Sequence, residues 1–326
     1  MSVLDTKISH FVRNDILINA LLRRGTKVSE GWTGKMKIGW IGTGVMGRSM
    51  AGHVQAGGHE LYVHNRTKSR AEDLLKKGAT WCDSPAEVAS KSEILFSIVG
   101  LPSDVEETYL GKNGVLAGKG SCHTIVDMTT SQPSLAQTIA QEAANKGVES
   151  LDAPVSGGDI GAREATLAIM VGGKKEVFDR VLPLFQLMGK NIARMGDAGA
   201  GQHTKMCNQI LVAGTMIGVC ESLLYAVKLG LDQQAVIDII SKGAAGSWSI
   251  SNLGPRLVRG DFETGFLVRH FIKDMGIALQ EAAAVDLSMP GLALVHQLYV
   301  AVMAQGHREC TTQALYLALK SLNGMK

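Results

Sequence analysis

The sequence predicts an α/β domain followed by an all-α domain. Between residues 36 and 198, short apolar runs such as MKIGWIG and EILFSIVG alternate with helical segments of about ten to fifteen residues, which indicates a parallel sheet covered on both faces. After Gly199 only helical periodicity remains, without a convincing strand. We therefore expect an N-terminal extension at 1–35, the α/β domain at 36–198 and the helical domain at 199–326, meeting at a long helix from about residue 202.

The composition is that of an ordinary globular protein. Of the 326 residues, 45% are hydrophobic and 19% are charged, so the chain can bury a sizeable core. The net charge of +3 comes without a basic stripe, so we expect no nucleic-acid partner. The five cysteines have no CxxC spacing and no Cys/His ligand pattern, which favours reduced thiols, no metal and a cytoplasmic location. No apolar run reaches the roughly 20 residues that a membrane span needs, so no membrane partner is expected.

Residues 1–35 have basic residues and some amphipathic spacing, which a mitochondrial transit peptide would share. Asp5, Asp15 and Glu30 interrupt that pattern, because transit peptides are poor in acids. We favour a peripheral or non-native extension, or a start codon assigned too early, since Met36 directly precedes the first predicted strand.

The segment GTGVMG matches the dinucleotide-binding pattern G-x-G-x-x-G. The pattern alone is weak, but here it follows a strand and opens a helix at the start of the domain. The first glycine would allow a tight turn, the second the approach of a pyrophosphate and the third the close packing of helix on sheet. The alternative is a glycine-rich turn without a ligand. The predicted cofactor loop consists of Gly42, Thr43, Gly44, Val45, Met46 and Gly47.

The second strand ends in VHNRTKSR, and this end indicates which cofactor is bound. NAD-binding domains usually have an acid here that accepts hydrogen bonds from ribose hydroxyls, whereas the next acid in this chain is Glu72. The guanidinium of Arg66 suits a phosphate because it presents several donors in a planar fork. We expect NADP(H) to be preferred and NAD(H) to be possible, with Asn65 and Thr67 supporting Arg66 on the 2′-phosphate. An exposed arginine at a helix start is the alternative.

Two further loops are expected at the carboxyl edge of the sheet, where ligands bind in such domains. They are VGLPSDVEE at 99–107 and DMTTSQP at 127–133. They would cover the nicotinamide through the Leu101-Pro102 backbone and the Thr130 hydroxyl. A helix N-cap within Thr129 to Ser131 is nearly as good an explanation of the second loop.

The segment DAPVSGG offers backbone N–H groups and a hydroxyl to a small carboxylate. The residues concerned are Ser156, Gly157 and Gly158. In isolation the motif is only a turn.

The segment GQHTKMCNQ places a lysine at the start of a long apolar helix. An apolar helix that partly desolvates a lysine lowers its pKa toward neutral pH, where the lysine can exchange a proton. Lys205 is therefore a candidate proton donor to a carbonyl that receives a hydride. His203 is a rival, but two residues away on a helix it faces elsewhere. A solvated lysine at the start of a helix explains these residues equally well.

Five segments occur in an order and spacing typical of one enzyme family, namely IGWIGTGVMG, DMTTSQP, DAPVSGG, GAGQHTKMCNQ and HFIKDMGIAL. Residues 36–326 resemble the β-hydroxyacid dehydrogenases, which include 3-hydroxyisobutyrate dehydrogenase, tartronate semialdehyde reductase and glyoxylate/succinic semialdehyde reductases. The resemblance implies a Rossmann-type domain, a long interdomain helix and a helical domain that builds homodimers or homotetramers. It also implies hydride transfer between a nicotinamide cofactor and a short semialdehyde or 3-hydroxy carboxylate.

The resemblance also assigns roles to single residues. The lysine of the family's G-x-x-x-K-x-x-N segment, the catalytic acid/base, falls on Lys205. The neighbouring amide that orients the substrate falls on Asn208, with Gln209 as a less favoured stand-in. The SGG segment binds the substrate carboxylate, and the later Lys273-Asp274 pair lies near the cofactor.

Departures from the family pattern separate the alternatives. Thr43 replaces the usual leucine of G-L-G-x-M-G, while NRT is similar to the reductases that use NADPH. The His-Asn pair that 6-phosphogluconate dehydrogenases have after the lysine is absent, and imine reductases usually replace the lysine. Retention of Lys205 also argues against a non-catalytic, cofactor-bound scaffold. The substrate stays open among 3-hydroxyisobutyrate, tartronate semialdehyde, glyoxylate and succinic semialdehyde.

Overall fold

The computed structural model describes residues 34–118, 120–263 and 265–325. The extension predicted at 1–35 lies outside the described residues as far as residue 33. From Lys35 onward, the described residues belong to one compact unit.

The first part of the chain alternates strands and helices, as its apolar runs predict. The strands are β1 (Lys37–Ile41), β2 (Glu60–His64), β3 (Thr80–Trp81), β4 (Ile94–Ser97), β5 (Thr124–Asp127), β6 (Glu149–Asp152), β7 (Val155–Ser156), β8 (Leu167–Gly172) and β9 (Gly189–Gly196). The helices are α1 (Val45–Ala56), α2 (Glu72–Lys76), α3 (Pro85–Lys91), α4 (Pro102–Leu110), α5 (Pro133–Asn145), α6 (Gly158–Arg163) and α7 (Lys175–Gln186). Every residue of β4 and β5 is buried, because helices cover both faces of the sheet.

The sheet has the strand order β3-β2-β1-β4-β5-β6-β8-β7, with β9 paired to β8. Strands β1 to β6 are parallel, in the order of a doubly wound nucleotide-binding domain, so the predicted fold class is confirmed. The sheet is predominantly parallel, as expected, but β8 runs antiparallel to β6 and β7, which the apolar runs did not indicate. Only residues 157–166 connect β7 to β8, and a parallel crossover needs a dozen or more residues.

The second part of the chain is helical. Its helices are α8 (Ala200–Lys228), α9 (Gln233–Ile240), α10 (Trp248–Asn252), α11 (Gly254–Val258), α12 (Val268–Ala284), α13 (Pro290–Ala304) and α14 (Leu315–Leu322). Among the residues described after Gly199, the β structure is limited to one isolated bridge, between Leu267 and Thr311. The prediction of an all-α second part is therefore confirmed.

Helix α8 is the central element of the molecule. It contacts β8 of the sheet and packs against α12, α13 and α14. By length and hydropathy it is the one helix among the described residues that could cross a membrane, although no such apolar run was expected. Its buried face, however, contains the polar side chains of Gln202, Lys205 and Gln209. These side chains meet the carboxyl edge of the sheet, where the candidate site lies.

The hydrophobic core has separate clusters on the two faces of the sheet and one within the helical part. In the sheet, Trp40 stacks on Phe96, with ring centroids 5.6 Å apart. Among the cysteines, all of them free, Cys82, Cys122 and Cys220 are buried. Thiols in these positions agree with the expected reduced state.

Candidate active site

The loop between β1 and α1 has the geometry that the glycine pattern requires. Gly42 has a φ of +92°, and a Cβ at this position would collide with the carbonyl oxygen of Ile98. A Cβ at Gly47 would collide with the carbonyl oxygen of Gly42, so helix and strand approach too closely for any side chain. A Cβ at Gly44 would meet nothing within 4 Å, which leaves open space above the loop.

This loop fits a dinucleotide pyrophosphate. Helix α1 begins directly after Gly44 without a side-chain cap, so its first N–H groups face the open space. Val45 is 70% exposed at the first position of the helix and Met46 is partly buried behind it. Within the described residues, the hydroxyl of Thr43 is buried without a hydrogen-bond partner. A cradle of this shape, at a helix N-terminus, suits an anionic group.

The end of β2 is tied to the glycine loop by Asn65. The side-chain oxygen of Asn65 accepts a hydrogen bond from Thr43 N at 3.0 Å, and its Nδ2 donates to the carbonyl of Thr67 at 2.9 Å. The side chain of Arg66 is 83% exposed, and its Nη1 lies 3.0 Å from Oδ1 of Asp104. The structure thus places Arg66 beside the cofactor loop, in an ion pair that the sequence did not predict.

A buried carboxylate connects the two loops at the carboxyl edge. Asp127 accepts hydrogen bonds from Ser97 Oγ at 2.9 Å and from Thr129 N at 3.0 Å. Burial raises the pKa of Asp127 to about 6, against the effect of these hydrogen bonds. The hydroxyl of Thr129 accepts from Val99 N at 2.9 Å, which ties the loop after β5 to the Leu101-Pro102 loop after β4.

The alternative role of Thr129 to Ser131 as a helix cap is wrong. Helix α5 begins at Pro133, and its N-cap, Gln132, makes no side-chain capping bond. The hydroxyl of Thr129 is engaged with Val99 instead. The proline at the first helical position removes one of the N–H groups that would otherwise need a partner.

Gln202 fixes this loop to helix α8, and sequence reasoning missed it. Its side chain is fully buried, donates to the carbonyl of Thr129 at 2.7 Å and accepts from Ser131 N at 2.9 Å. The backbone N–H of Gln202 donates to the buried carboxylate of Asp152 at 2.8 Å, as does that of Gly199. Burial raises the pKa of Asp152. The start of α8 is therefore docked on the ends of β5 and β6.

Lys205 lies one turn further along α8 and is buried, with 6% of its surface exposed. Its Nζ donates a hydrogen bond to the carbonyl of Val155 at 2.8 Å. Burial lowers its pKa from 10.5 to about 8; the charge of Asp274 opposes this change and that of Lys273 adds to it. The alternative of a solvated lysine is wrong, whereas His203 is exposed and faces elsewhere, as predicted.

Val155 directly precedes the SGG turn, so the ammonium of Lys205 stands next to this turn. Ser156 ends β7, and the glycines after it have φ values of +131° and +63°, which favour glycine at both positions. Gly157 caps α6, and Gly158 is its first residue. The structure thus brings Lys205 and the predicted carboxylate site together.

A chain of hydrogen bonds on α8 and α12 completes the site. Asn208 Nδ2 donates to Gln209 Oε1 at 2.7 Å, and Gln209 Nε2 donates to Asp274 Oδ2 at 2.6 Å. Because a carboxylate accepts hydrogen bonds only, it fixes which way both amides point. Lys273 pairs with Asp274 at 2.6 Å and also donates to the carbonyl of Thr130, which joins α12 to the loop after β5.

Comparison with known proteins agrees with this arrangement. A family model described as the NAD-binding domain of 6-phosphogluconate dehydrogenase matches residues 37–196. A second, described as NAD-binding of NADP-dependent 3-hydroxyisobutyrate dehydrogenase, matches residues 199–319. The chain belongs to the β-hydroxyacid dehydrogenase family. It is an NAD(P)-dependent oxidoreductase, as the sequence segments predict.

Relatives in this family cover nearly all of the described chain. A protein of Arabidopsis thaliana named probable 3-hydroxyisobutyrate dehydrogenase-like 1, mitochondrial, is 51% identical over 89% of this chain and 86% of its own length. The 2-hydroxy-3-oxopropionate reductase of Escherichia coli is 40% identical over 89% of this chain and 99% of its own. The solved structure of Mycobacterium tuberculosis 3-hydroxyisobutyrate dehydrogenase with L-serine has a TM-score of 0.79 and 27% identity, covering 88% of this chain and all of that one.

Proposed function

We propose that this member of the β-hydroxyacid dehydrogenase family reduces a short semialdehyde carboxylate with NADPH, and oxidises the corresponding 3-hydroxy acid in reverse. The observation that carries the proposal is the buried Lys205, whose pKa is lowered to about 8 beside the SGG turn. A group with that pKa can give a proton near neutral pH and take one back at slightly higher pH.

The cofactor would be held along the carboxyl edge of the sheet. The residues that would contact it are those of the glycine loop, Asn65, Arg66, Thr67, Leu101, Pro102, Thr130, Lys273 and Asp274. When bound, the reduced nicotinamide supplies the hydride. The proposed domains follow the same division, with cofactor binding in 36–198 and substrate binding and oligomerisation in 199–326.

The chain's own residues would position the substrate and move the proton. The N–H groups and hydroxyl of Ser156 to Gly158 bind the substrate carboxylate, because positive φ values turn backbone N–H groups toward one side. The amide of Asn208, oriented through Gln209, binds the substrate near its reacting carbon. Lys205 Nζ then protonates the oxygen that gains negative charge during reduction, and accepts the same proton during oxidation.

The Arabidopsis relative's name supports methylmalonate semialdehyde and 3-hydroxyisobutyrate as the substrate pair, and the Escherichia coli relative's name supports tartronate semialdehyde. We test these together with glyoxylate and succinic semialdehyde by following NADPH oxidation. One of the four is expected to give a kcat/KM at least about tenfold above the others. A Lys205→Ala variant that reduces the best substrate as fast as wild type would contradict the mechanism. A wild type that reduces none of the four would favour a non-catalytic scaffold.

Arg66 is expected to set the preference for NADP(H). Arg66→Ala should raise the Kd of NADPH by about tenfold and leave that of NADH within about twofold, because only the 2′-phosphate needs the guanidinium. Calorimetric titration of the purified protein with each cofactor measures both constants. Lys77→Ala, a change at an exposed lysine after α2, is the matched control. Tighter binding of NADH than NADPH by wild type would contradict the assignment.

We propose that the protein forms homodimers or homotetramers through α8. Residues spaced three and four apart form an exposed stripe on this helix, with Leu211 69% and Tyr225 68% exposed. Between these two, Gly214 and Gly218 are exposed and would let a second helix approach closely. A stripe of this kind suits a second copy, because the two glycines leave room between large exposed side chains for side chains of the partner helix.

Light scattering on the purified protein tests this assembly. Wild type is expected at two or four times the protomer mass of 34.7 kDa, and Leu211→Glu at a smaller multiple. Leu322→Glu places the same charge at another exposed leucine, on α14, and should leave the mass unchanged. A monomeric wild type would contradict the proposal.

The cytoplasm is the location we propose. The acids at positions 5, 15 and 30 support it, whereas the name of the Arabidopsis relative gives a mitochondrial location for that protein. Fractionation of cells expressing the full chain would decide between the two.

A further inference from the structure

Asp104 connects the predicted 2′-phosphate site to the loop after β4. It is the third residue of α4, and its Oδ2 accepts a hydrogen bond from the backbone N–H of Leu101 at 3.0 Å. Its Oδ1 pairs with Nη1 of Arg66 at 3.0 Å. One carboxylate therefore contacts both the arginine that would bind the phosphate and the backbone that would cover the cofactor.

The two partners of this ion pair differ in exposure and in the contacts that hold them. The side chain of Arg66 is 83% exposed, whereas that of Asp104 is 21% exposed. Asp104 is also held by Leu101 N and lies in the first turn of a helix, where a negative charge is favoured. When a ligand competes for the guanidinium, Arg66 can move and Asp104 stays. The negative charge of Asp104 therefore stays in place beside Arg66, the residue that would bind the 2′-phosphate of the ribose.

We propose that Asp104 is a specificity-determining residue that weakens the binding of NADPH relative to NADH. The inference rests on the proposed contact between Arg66 and the 2′-phosphate. A phosphate monoester carries a charge of about −1.5 to −2 at neutral pH, so it repels a carboxylate that shares its arginine. NADH has no such group, and it leaves the pair of Arg66 and Asp104 intact. The chain therefore keeps affinity for both cofactors.

Asp104→Asn removes the charge and keeps an oxygen that can accept from Leu101 N. Removing a charge that lies several ångströms from the 2′-phosphate at a hydrated surface should lower the Kd of NADPH about three- to tenfold. The Kd of NADH should change by less than about twofold. The gain for NADPH should shrink near 1 M salt, where the screening length is about 3 Å. A purely structural effect of the substitution would not depend on salt in this way.

Calorimetric titration of the full chain with NADPH and with NADH, at low and high salt, is the experiment. Glu106→Gln removes the same charge from an exposed position two residues further along α4 and serves as the control. Asp104→Ser is a second variant in case the asparagine protein folds poorly. The proposal is supported if Asp104→Asn lowers the Kd of NADPH but not that of NADH, and if this gain is lost at high salt.

Three results would contradict the role of Asp104 or the cofactor site on which it rests, and they can be told apart. Weaker NADPH binding by Asp104→Asn would mean that the carboxylate holds Arg66 ready for the phosphate, and would overturn the inference. Equal changes for both cofactors would overturn it as well. If Arg66→Ala leaves the ratio of the two Kd values unchanged, the phosphate site itself is wrong. The failure of the proposed cofactor site is thus distinguishable from the failure of the role of Asp104.

Discussion

Lys205→Met is expected to lower kcat for the best substrate by about 10²- to 10⁴-fold, while the Kd of NADPH stays within about twofold. Methionine fills nearly the same space on the buried face of α8 but has no proton to give. Steady-state kinetics gives kcat, and calorimetric titration gives the Kd. Lys228→Met, at the exposed end of the same helix, is the matched control and should retain full activity. A Lys205→Met enzyme within tenfold of wild type would contradict the assigned role.

The same substitution should increase stability at neutral pH. Lowering the pKa from 10.5 to about 8 corresponds to a cost of roughly 3 kcal/mol for keeping the lysine charged in the folded protein. The lost hydrogen bond to Val155 offsets about 1 kcal/mol of the gain. The cost is fully present below about pH 8 and disappears as the pH rises toward 10.5, because the unfolded chain still binds the proton there. Denaturant unfolding of both proteins at pH 7 and pH 10 measures this difference.

Asp274→Asn is expected to reduce kcat/KM by about 10- to 100-fold at pH 8 and to move the pH profile. The charge of Asp274 raises the pKa of Lys205, so its loss should lower the midpoint below the wild-type value of about 8. Reduction then fails at a lower pH, because Lys205 loses its proton earlier. Asparagine also no longer dictates the orientation of Gln209 and Asn208, which should raise the KM of the substrate.

Two variants separate these effects of Asp274. Gln209→Leu breaks the chain to Asn208 but keeps the carboxylate, so it should raise KM without lowering the midpoint. Asp238→Asn, an exposed change on α9, should do neither. An Asp274→Asn profile with an unchanged midpoint would show that its charge does not act on Lys205.

Sequence patterns predicted those parts of the fold that depend on local signals. The strand-then-glycine context identified the turn at Gly42 and the tight packing at Gly47, because these constraints act within one βαβ unit. The helical periodicity after Gly199 predicted the helical second part, because this periodicity is also a local signal. The antiparallel β8 was missed because its direction depends on the length of a connection, not on the apolar pattern of the strand.

The site was only partly predictable. The sequence indicated Lys205, but not its burial, which comes from α8 docking on β6 through Asp152. Gln202 resembled an ordinary helix-start residue, since its two partners lie more than 70 positions away in the chain. Gln209 was ranked below Asn208, although the structure makes it the link to Asp274. Pairings of this kind depend on tertiary contacts that local patterns do not record.

The pH dependence of wild-type kcat, measured in both directions with the best substrate pair, tests the central claim most directly. A single group that gives its proton during reduction and takes it back during oxidation requires opposite profiles. We expect reduction to fall, and oxidation to rise, through one ionisation near pH 8. Profiles that change in the same direction, or a shared midpoint near the ordinary lysine value of 10.5, would contradict the role of Lys205.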